Sequence, residues 1–81
     1  MLSELKTAKK VIGLKQTKKA LSEGGVKTVF VASDAERRLV APVIEQCEKS
    51  GIEMVDTATM RELGEACGIE VGAAVAAIIG G

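Results

Sequence analysis

The chain has 81 residues, 47% of them hydrophobic, eleven cationic against eleven anionic and no histidine. Such a length and composition describe one small domain with a thin but real core and exclude a disordered chain. They also exclude a histidine-based triad or histidine general base, and the usual zinc spacings do not fit two cysteines twenty positions apart.

The zero net charge hides a split. Up to Arg38 nine cationic residues face four anionic ones, a net of +5; from Leu39 onward two face seven, a net of −5. A dipolar domain can hold a polyanion on one surface and stay soluble. The plainer reading is that the lysines solvate exposed helix faces. No secretory segment is read at the start, and the longest apolar run, Val71 to Ile79, is too short and glycine-broken to span a bilayer, so a cytoplasmic protein is expected. Cys47 and Cys67 read as small buried hydrophobes, with an incidental disulfide as the alternative.

In chain order, residues 3–10 predict a short helix with Leu2, Leu5 and Ala8 on one face. Val11 to Leu14 predicts a brief strand and residues 16–23 a second helix, stopped by Gly24-Gly25. The cassette Gly13-Leu14-Lys15-Gln16-Thr17-Lys18-Lys19 therefore sits where a strand ends and a helix begins. Backbone N–H groups are unpaired there and the helix dipole favours an anion, while cationic side chains at that end oppose helix stability slightly. An anionic partner would account for them.

Lys27 to Ala32 contains Thr28-Val29-Phe30-Val31, the pattern of a strand buried on both faces. Ser33-Asp34-Ala35-Glu36 has capping-box spacing, and Pro42 cannot sit deep in a helix. A turn or short helix is expected at 36–40, and a main helix from about 41 to 50 with Pro42 in its first turn and Gly51 as its stop. Ile52 to Val55 predicts a strand. Thr59-Met60-Arg61-Glu62 is a second capping box, opening a helix that buries Met60, Leu63 and Cys67 and stops at Gly68. A loop over 69–72 leads to a last strand, 73–79, with Gly72 a candidate for close backbone approach. Helices and strands alternate, which gives an α/β domain with helices on both faces of a sheet. Strand directions do not follow from spacing.

Nucleotide-loop motifs are absent: Gly64, Gly68 and Gly72 are spaced by four, and no glycine precedes a Lys-Ser or Lys-Thr pair. No catalytic or metal-ligating constellation appears, so no enzyme activity, cofactor or small-molecule substrate is expected; Glu62, Glu65 and Glu70 read as solvated. The chain lacks tryptophan and tyrosine, and Phe30 lies in an apolar strand, so it has no surface platform for stacking splayed bases. A helix end carrying lysines and a glutamine suits phosphates and base edges instead. Because A-form RNA hides its base edges in a narrow groove, such a reader needs a distorted duplex.

Three blocks carry a family likeness: Gly13-Leu14-Lys15-Gln16-Thr17-Lys18-Lys19-Ala20, Val31-Ala32-Ser33-Asp34-Ala35, and Leu63-Gly64-Glu65-Ala66-Cys67-Gly68-Ile69-Glu70-Val71-Gly72-Ala73-Ala74. On these the chain resembles the kink-turn-binding ribosomal protein family, typified by the archaeal large-subunit protein called L-seven-Ae, and is similar above all to its short bacterial members. The resemblance implies a three-layer α-β-α sandwich with a four-stranded mixed sheet. It implies a partner: RNA sharply bent at a bulge flanked by sheared G·A pairs, whether ribosomal RNA, a riboswitch or another structured transcript. It carries RNA contact to Gly13, Leu14, Lys15, Gln16, Lys18 and Lys19, and to the bulge-covering loop residues Ile69, Glu70 and Val71. Archaeal members commonly have Asn-Glu where Lys15-Gln16 stand, and many relatives have threonine at Leu14. The family's Asp-x-Asp-Pro appears as Asp34-Ala35-Glu36-Arg37, so no role is carried to Arg37. A monomeric, non-enzymatic RNA-binding protein is expected. The alternatives are a protein-interaction module and an accessory RNA-substrate-binding subunit of an enzyme.

Overall fold

A computed structural model describes residues 4–80. Its elements run α1 (Glu4–Thr7), β1 (Lys10–Ile12), α2 (Leu14–Glu23), β2 (Val26–Ala32), α3 (Arg37–Ser50), β3 (Glu53–Ala58), α4 (Met60–Ala66) and β4 (Val75–Ile79). The strands form one mixed sheet in the order β1-β4-β2-β3. β4 pairs antiparallel with both β1 and β2, whereas β2 and β3 are parallel. Ala77 stands at the centre, opposite Val11 on one side and Val29 on the other.

Side chains alternate across the sheet and build two cores. Val29, Val31, Val75 and Ala77 meet Leu21 of α2 and Val40, Val43 and Cys47 of α3 on one face. Phe30, Ala32, Ala76 and Ile78 meet Leu5 of α1, Leu63 and Ala66 of α4, and its C-cap Cys67 on the other. The expected three-layer sandwich with a four-stranded mixed sheet is the observed architecture. The expected burial of both cysteines holds too: they are free and buried, and they belong to opposite cores, which removes the disulfide alternative.

Several boundaries differ from expectation. β1 starts and ends earlier than 11–14, and α2 starts two residues earlier than 16, so Gly13 is its N-cap. Among the described residues α1 spans only 4–7, and its buried anchor is Leu5; Leu2 lies outside them. The expected box at Ser33–Glu36 does not form. α3 has Glu36 as N-cap with no side-chain cap bond, and Asp34 Oδ1 instead accepts from the Met60 N–H at 2.7 Å. Nor is Pro42 in a first turn: α3 is continuous from Arg37, and Pro42 is its sixth residue. Pro42 is exposed, so the Arg38 carbonyl that its missing N–H leaves free lies on the watered side of the helix. The box at Thr59–Glu62 does form, with both reciprocal bonds present at 3.1 and 3.0 Å.

β1, β2 and β3 all run the same way, and each is followed by a helix. The N-termini of α2, α3 and α4 therefore share one end of the sheet. β4, running the other way, begins at that end.

Candidate nucleic-acid interface

α2 buries Thr17, Ala20 and Leu21 and exposes Lys15, Gln16, Lys18 and Lys19. At 100° per residue, Lys15, Lys18 and Lys19 make one outward stripe, with Gln16 on its flank. Like charges three and four residues apart cost an isolated helix a few tenths of a kcal/mol, roughly 0.2–0.5 per pair. Among the described residues none of these lysines has an ion-pair partner; the pair observed is Arg38–Glu36, at 2.7 Å.

The tip of α2 is bare. Its N-cap, Gly13, has φ 102° and ψ 160°, a conformation that side-chain-bearing residues rarely adopt. No side chain caps it and the first turn holds no acidic residue. The N–H groups of Leu14, Lys15 and Gln16 thus lack an intrahelical acceptor and point out with the positive end of the helix dipole. Two bonds fix the tip: Gly13 N–H donates to the Val75 carbonyl at 2.9 Å, and Thr17 N–H donates to the Gly13 carbonyl at 3.0 Å. The Gln16 carboxamide oxygen folds back over Gly13, 2.9 Å from where a Cβ would stand. Beneath, Thr17 is fully buried, and its hydroxyl has no partner among the described residues.

The second segment is the loop over 69–72. Gly68, at φ +82°, turns the chain out of α4, and Ile69 N–H donates to the Gly64 carbonyl at 3.0 Å. The loop's far end is held by Ala73 N–H on the Met60 carbonyl, also at 3.0 Å. Close backbone approach occurs chiefly at Gly64, where an added Cβ would collide with the Val71 carbonyl oxygen; Gly72 also lies close, against Met60. Ile69 turns inward and packs on the α1/α4 core. Val71 is 70% exposed and Glu70 is exposed. With Arg61, Glu65 and Gly72 these residues line a shallow depression of about 350 Å³.

The fold brings both segments to one end. Val71 is four residues from Val75, a reach of at most about 14 Å, and the Val75 carbonyl is the acceptor that holds Gly13. Lys15, Gln16, Lys18, Lys19, Glu70 and Val71 present exposed side chains there, Leu14 is half-buried against the α2/α3 core, and Ile69 supports the loop from inside. Arg37, left without a role by the sequence, opens α3 at this end and is exposed; three further residues escaped the sequence reading, exposed Arg38 and Leu39 beside it and Arg61, which flanks the loop. The readable signal was the strand-then-helix repeat, which aligns three helix starts.

The two thiols stand apart from this end's chemistry. Burial pushes both above their ordinary value of about 9.0, with Glu48 adding to the shift at Cys47 and the Lys10 ammonium partly opposing it at Cys67. Neither is a ready nucleophile. Among the described residues no cluster of candidate metal ligands occurs, and no helix is long and apolar enough to cross a membrane.

A mixed sheet between two helical pairs, with an open cationic helix start beside a glycine-seated loop, defines a small α-β-α sandwich of the ribosomal-protein type. The chain belongs to the ribosomal protein L7Ae/L30e/S12e/Gadd45 family, whose profile matches residues 2–80. It is 51% identical over 69 residues, 85% of this chain and 84% of the relative, to an RNA-binding protein of Caldanaerobacter subterraneus subsp. tengcongensis. An RNA-binding protein of Bacillus pumilus is 46% identical over the same shares of the two chains. The large ribosomal subunit protein eL8 of Halobacterium salinarum is 41% identical over 68 residues, 83% of this chain and 57% of that protein. Among solved structures, the Giardia lamblia 15.5kD RNA binding protein superposes with a TM-score of 0.88 at 27% identity, covering 99% of this chain and 71% of its own.

Proposed function

We propose that this protein binds structured RNA in the cytoplasm and that its preferred element is the kink-turn, a duplex bent at a bulge flanked by sheared G·A pairs. One observation carries the reading: an uncapped, lysine-bearing helix start is hydrogen-bonded through Gly13 to the strand that the 69–72 loop feeds. Its relatives' names supply the nucleic acid.

The division of labour follows from the groups available. Free N–H groups at α2 and the ammonium groups of Lys15, Lys18 and Lys19 attract phosphates without reading sequence. Gln16 offers both a donor and an acceptor, which suits a base edge in an opened groove. Swinging its carboxamide off Gly13 would expose it. Val71 presents an exposed apolar surface to unpaired nucleotides, while Ile69 and the Gly64 contact hold the loop in place. Binding favours the bent RNA over the extended one by the difference in affinity for the two forms. The chemistry is recognition alone, with no cofactor and no reaction.

A gel shift with kink-turn RNA, set against the same RNA with its G·A pairs replaced by Watson–Crick pairs, tests both levels. The expected result is a selective shift of at least about tenfold, one base-contact's worth of discrimination. Equal binding to the two RNAs removes the kink-turn; no binding to either removes RNA.

A further inference from the structure

The charge split along the chain becomes a split across the sheet. α1, β1 and α2 occupy one flank, because β1 is an outer strand and α2 packs over β1 and β4. Residues 4–23, which make this flank, hold six lysines (Lys6, Lys9, Lys10, Lys15, Lys18 and Lys19) against Glu4 and Glu23, a net of +4. β3 is the outer strand of the opposite flank, with α3 and α4 beside it on the two faces. There Glu45, Glu48, Glu53, Asp56, Glu62 and Glu65 are all exposed. Over residues 37–66, which make this flank, they face Arg37, Arg38, Lys49 and Arg61, a net of −2, and the two arginines stand at the helix-start end of α3.

The α2 tip uses only half of the basic flank. Lys6 and Lys9 are exposed and Lys10 half-buried, and among the described residues none has an ion-pair partner. Lys10 stands two residues from Ile12 on β1, and Ile12 packs on the α1/α4 core, so strand alternation puts Lys10 on that face. Lys9 and Lys10 mark the end of β1 away from Gly13. At about 3.3 Å per strand residue, the cationic surface therefore continues roughly 10 Å below the tip.

We infer that the α1–β1 edge is a second phosphate-binding surface, along which one helical arm of the bound RNA runs, while the acidic β3 flank turns both arms away from itself. The inference rests on the RNA reading above and adds an orientation to it. A duplex gripped at the tip has two directions in which an arm can lie. Attraction along β1 and repulsion along β3 select one of them. Exposed charges a Debye length apart (about 10 Å at 0.1 M salt) are largely screened, so the track acts through direct phosphate contacts and makes binding steeply salt-dependent. Each such contact adds about 0.7–0.9 to the slope of log K against log salt.

The test titrates the wild type and the variant Lys6→Gln/Lys9→Gln/Lys10→Gln against kink-turn RNA whose two arms are shortened in turn, over a salt series. For the wild type, shortening one arm should weaken binding about tenfold and lower the slope by about two to three. Shortening the other should do neither. The variant should bind full-length RNA as weakly as the wild type binds the RNA with that arm removed, and should be indifferent to its removal. The double variant Lys6→Gln/Lys9→Gln leaves half-buried Lys10 intact and guards against a folding defect; it should lose about two-thirds of the slope change. Wild-type affinity in both variants, or equal dependence on both arms, overturns the inference. Equal binding of the wild type to RNA with and without its G·A pairs would instead overturn the kink-turn reading beneath it, and no binding to either would overturn RNA.

Discussion

The helix starts of α2 and α4 lie at the same end of the same sheet, and they are finished in opposite ways. At α4, Thr59 accepts from the Glu62 N–H, Glu62 reaches back to the Thr59 N–H, and Asp34 crosses from the β2 turn to take the Met60 N–H. Carboxylates thus close the positive end of that helix, as its dipole favours. At α2 there is a glycine, no cap and a stripe of lysines. One start is closed by the fold itself; the other, on the proposed reading, is left open for RNA. A missing cap alone does not mark it, since α3 at the same end also lacks a side-chain cap; the glycine and the lysine stripe together do.

The comparison can be broken at several points. Lys15→Glu puts an acid in the first turn of α2. The isolated protein should gain about 0.5 kcal/mol of stability from the dipole, while RNA affinity falls by about 3 kcal/mol, roughly a hundredfold. Urea denaturation and a filter-binding titration read the two effects, and a fall in both would show α2 to be structural. Gly64→Ala should cost about 2 kcal/mol, because the new methyl meets the Val71 carbonyl and the 69–72 loop must shift. The same variant should weaken RNA binding beyond what unfolding explains, measured below its melting temperature. Thr59→Ala should cost about 1 kcal/mol of stability and leave RNA affinity where it was, as a closed start predicts. Thr17→Val keeps the shape beneath the open tip and removes a buried hydroxyl without a partner among the described residues. It should be neutral or stabilise by less than about 1 kcal/mol in thermal melts, and a marked loss would show that the hydroxyl is bonded.

How far the sequence could be read depended on whether a feature was local. The Thr59–Glu62 box was legible because both of its bonds close within four residues. Ser33–Glu36 carries the same spacing and misleads, since α3 starts three residues later than the box requires: Glu36 is itself the N-cap, and its carboxylate pairs with Arg38. Pro42 misleads for a related reason: its cost inside α3 depends on which side of the helix faces water. The order β1-β4-β2-β3 was equally invisible from spacing, because pairing partners leave no mark in periodicity; the mixed sheet came from the family likeness. At the candidate site, the strand-to-helix junction at Gly13 was readable from glycine and the lysine cluster. That Ile69 would turn inward and Val71 outward was not, since the two-residue alternation gives both the same side. The loop is not a strand, and its course is set by the bare α-carbon of Gly64.

β4 comes after every other element in the chain, yet it lies between β1 and β2 and joins them. During translation the first two strands therefore have no shared neighbour until this last segment clears the exit tunnel. The Val75 carbonyl that anchors the α2 tip arrives with it. A chain halted before Val75 already carries every lysine of the α2 stripe but lacks the acceptor that fixes their helix start, so on the proposed reading the site is finished only when β4 docks.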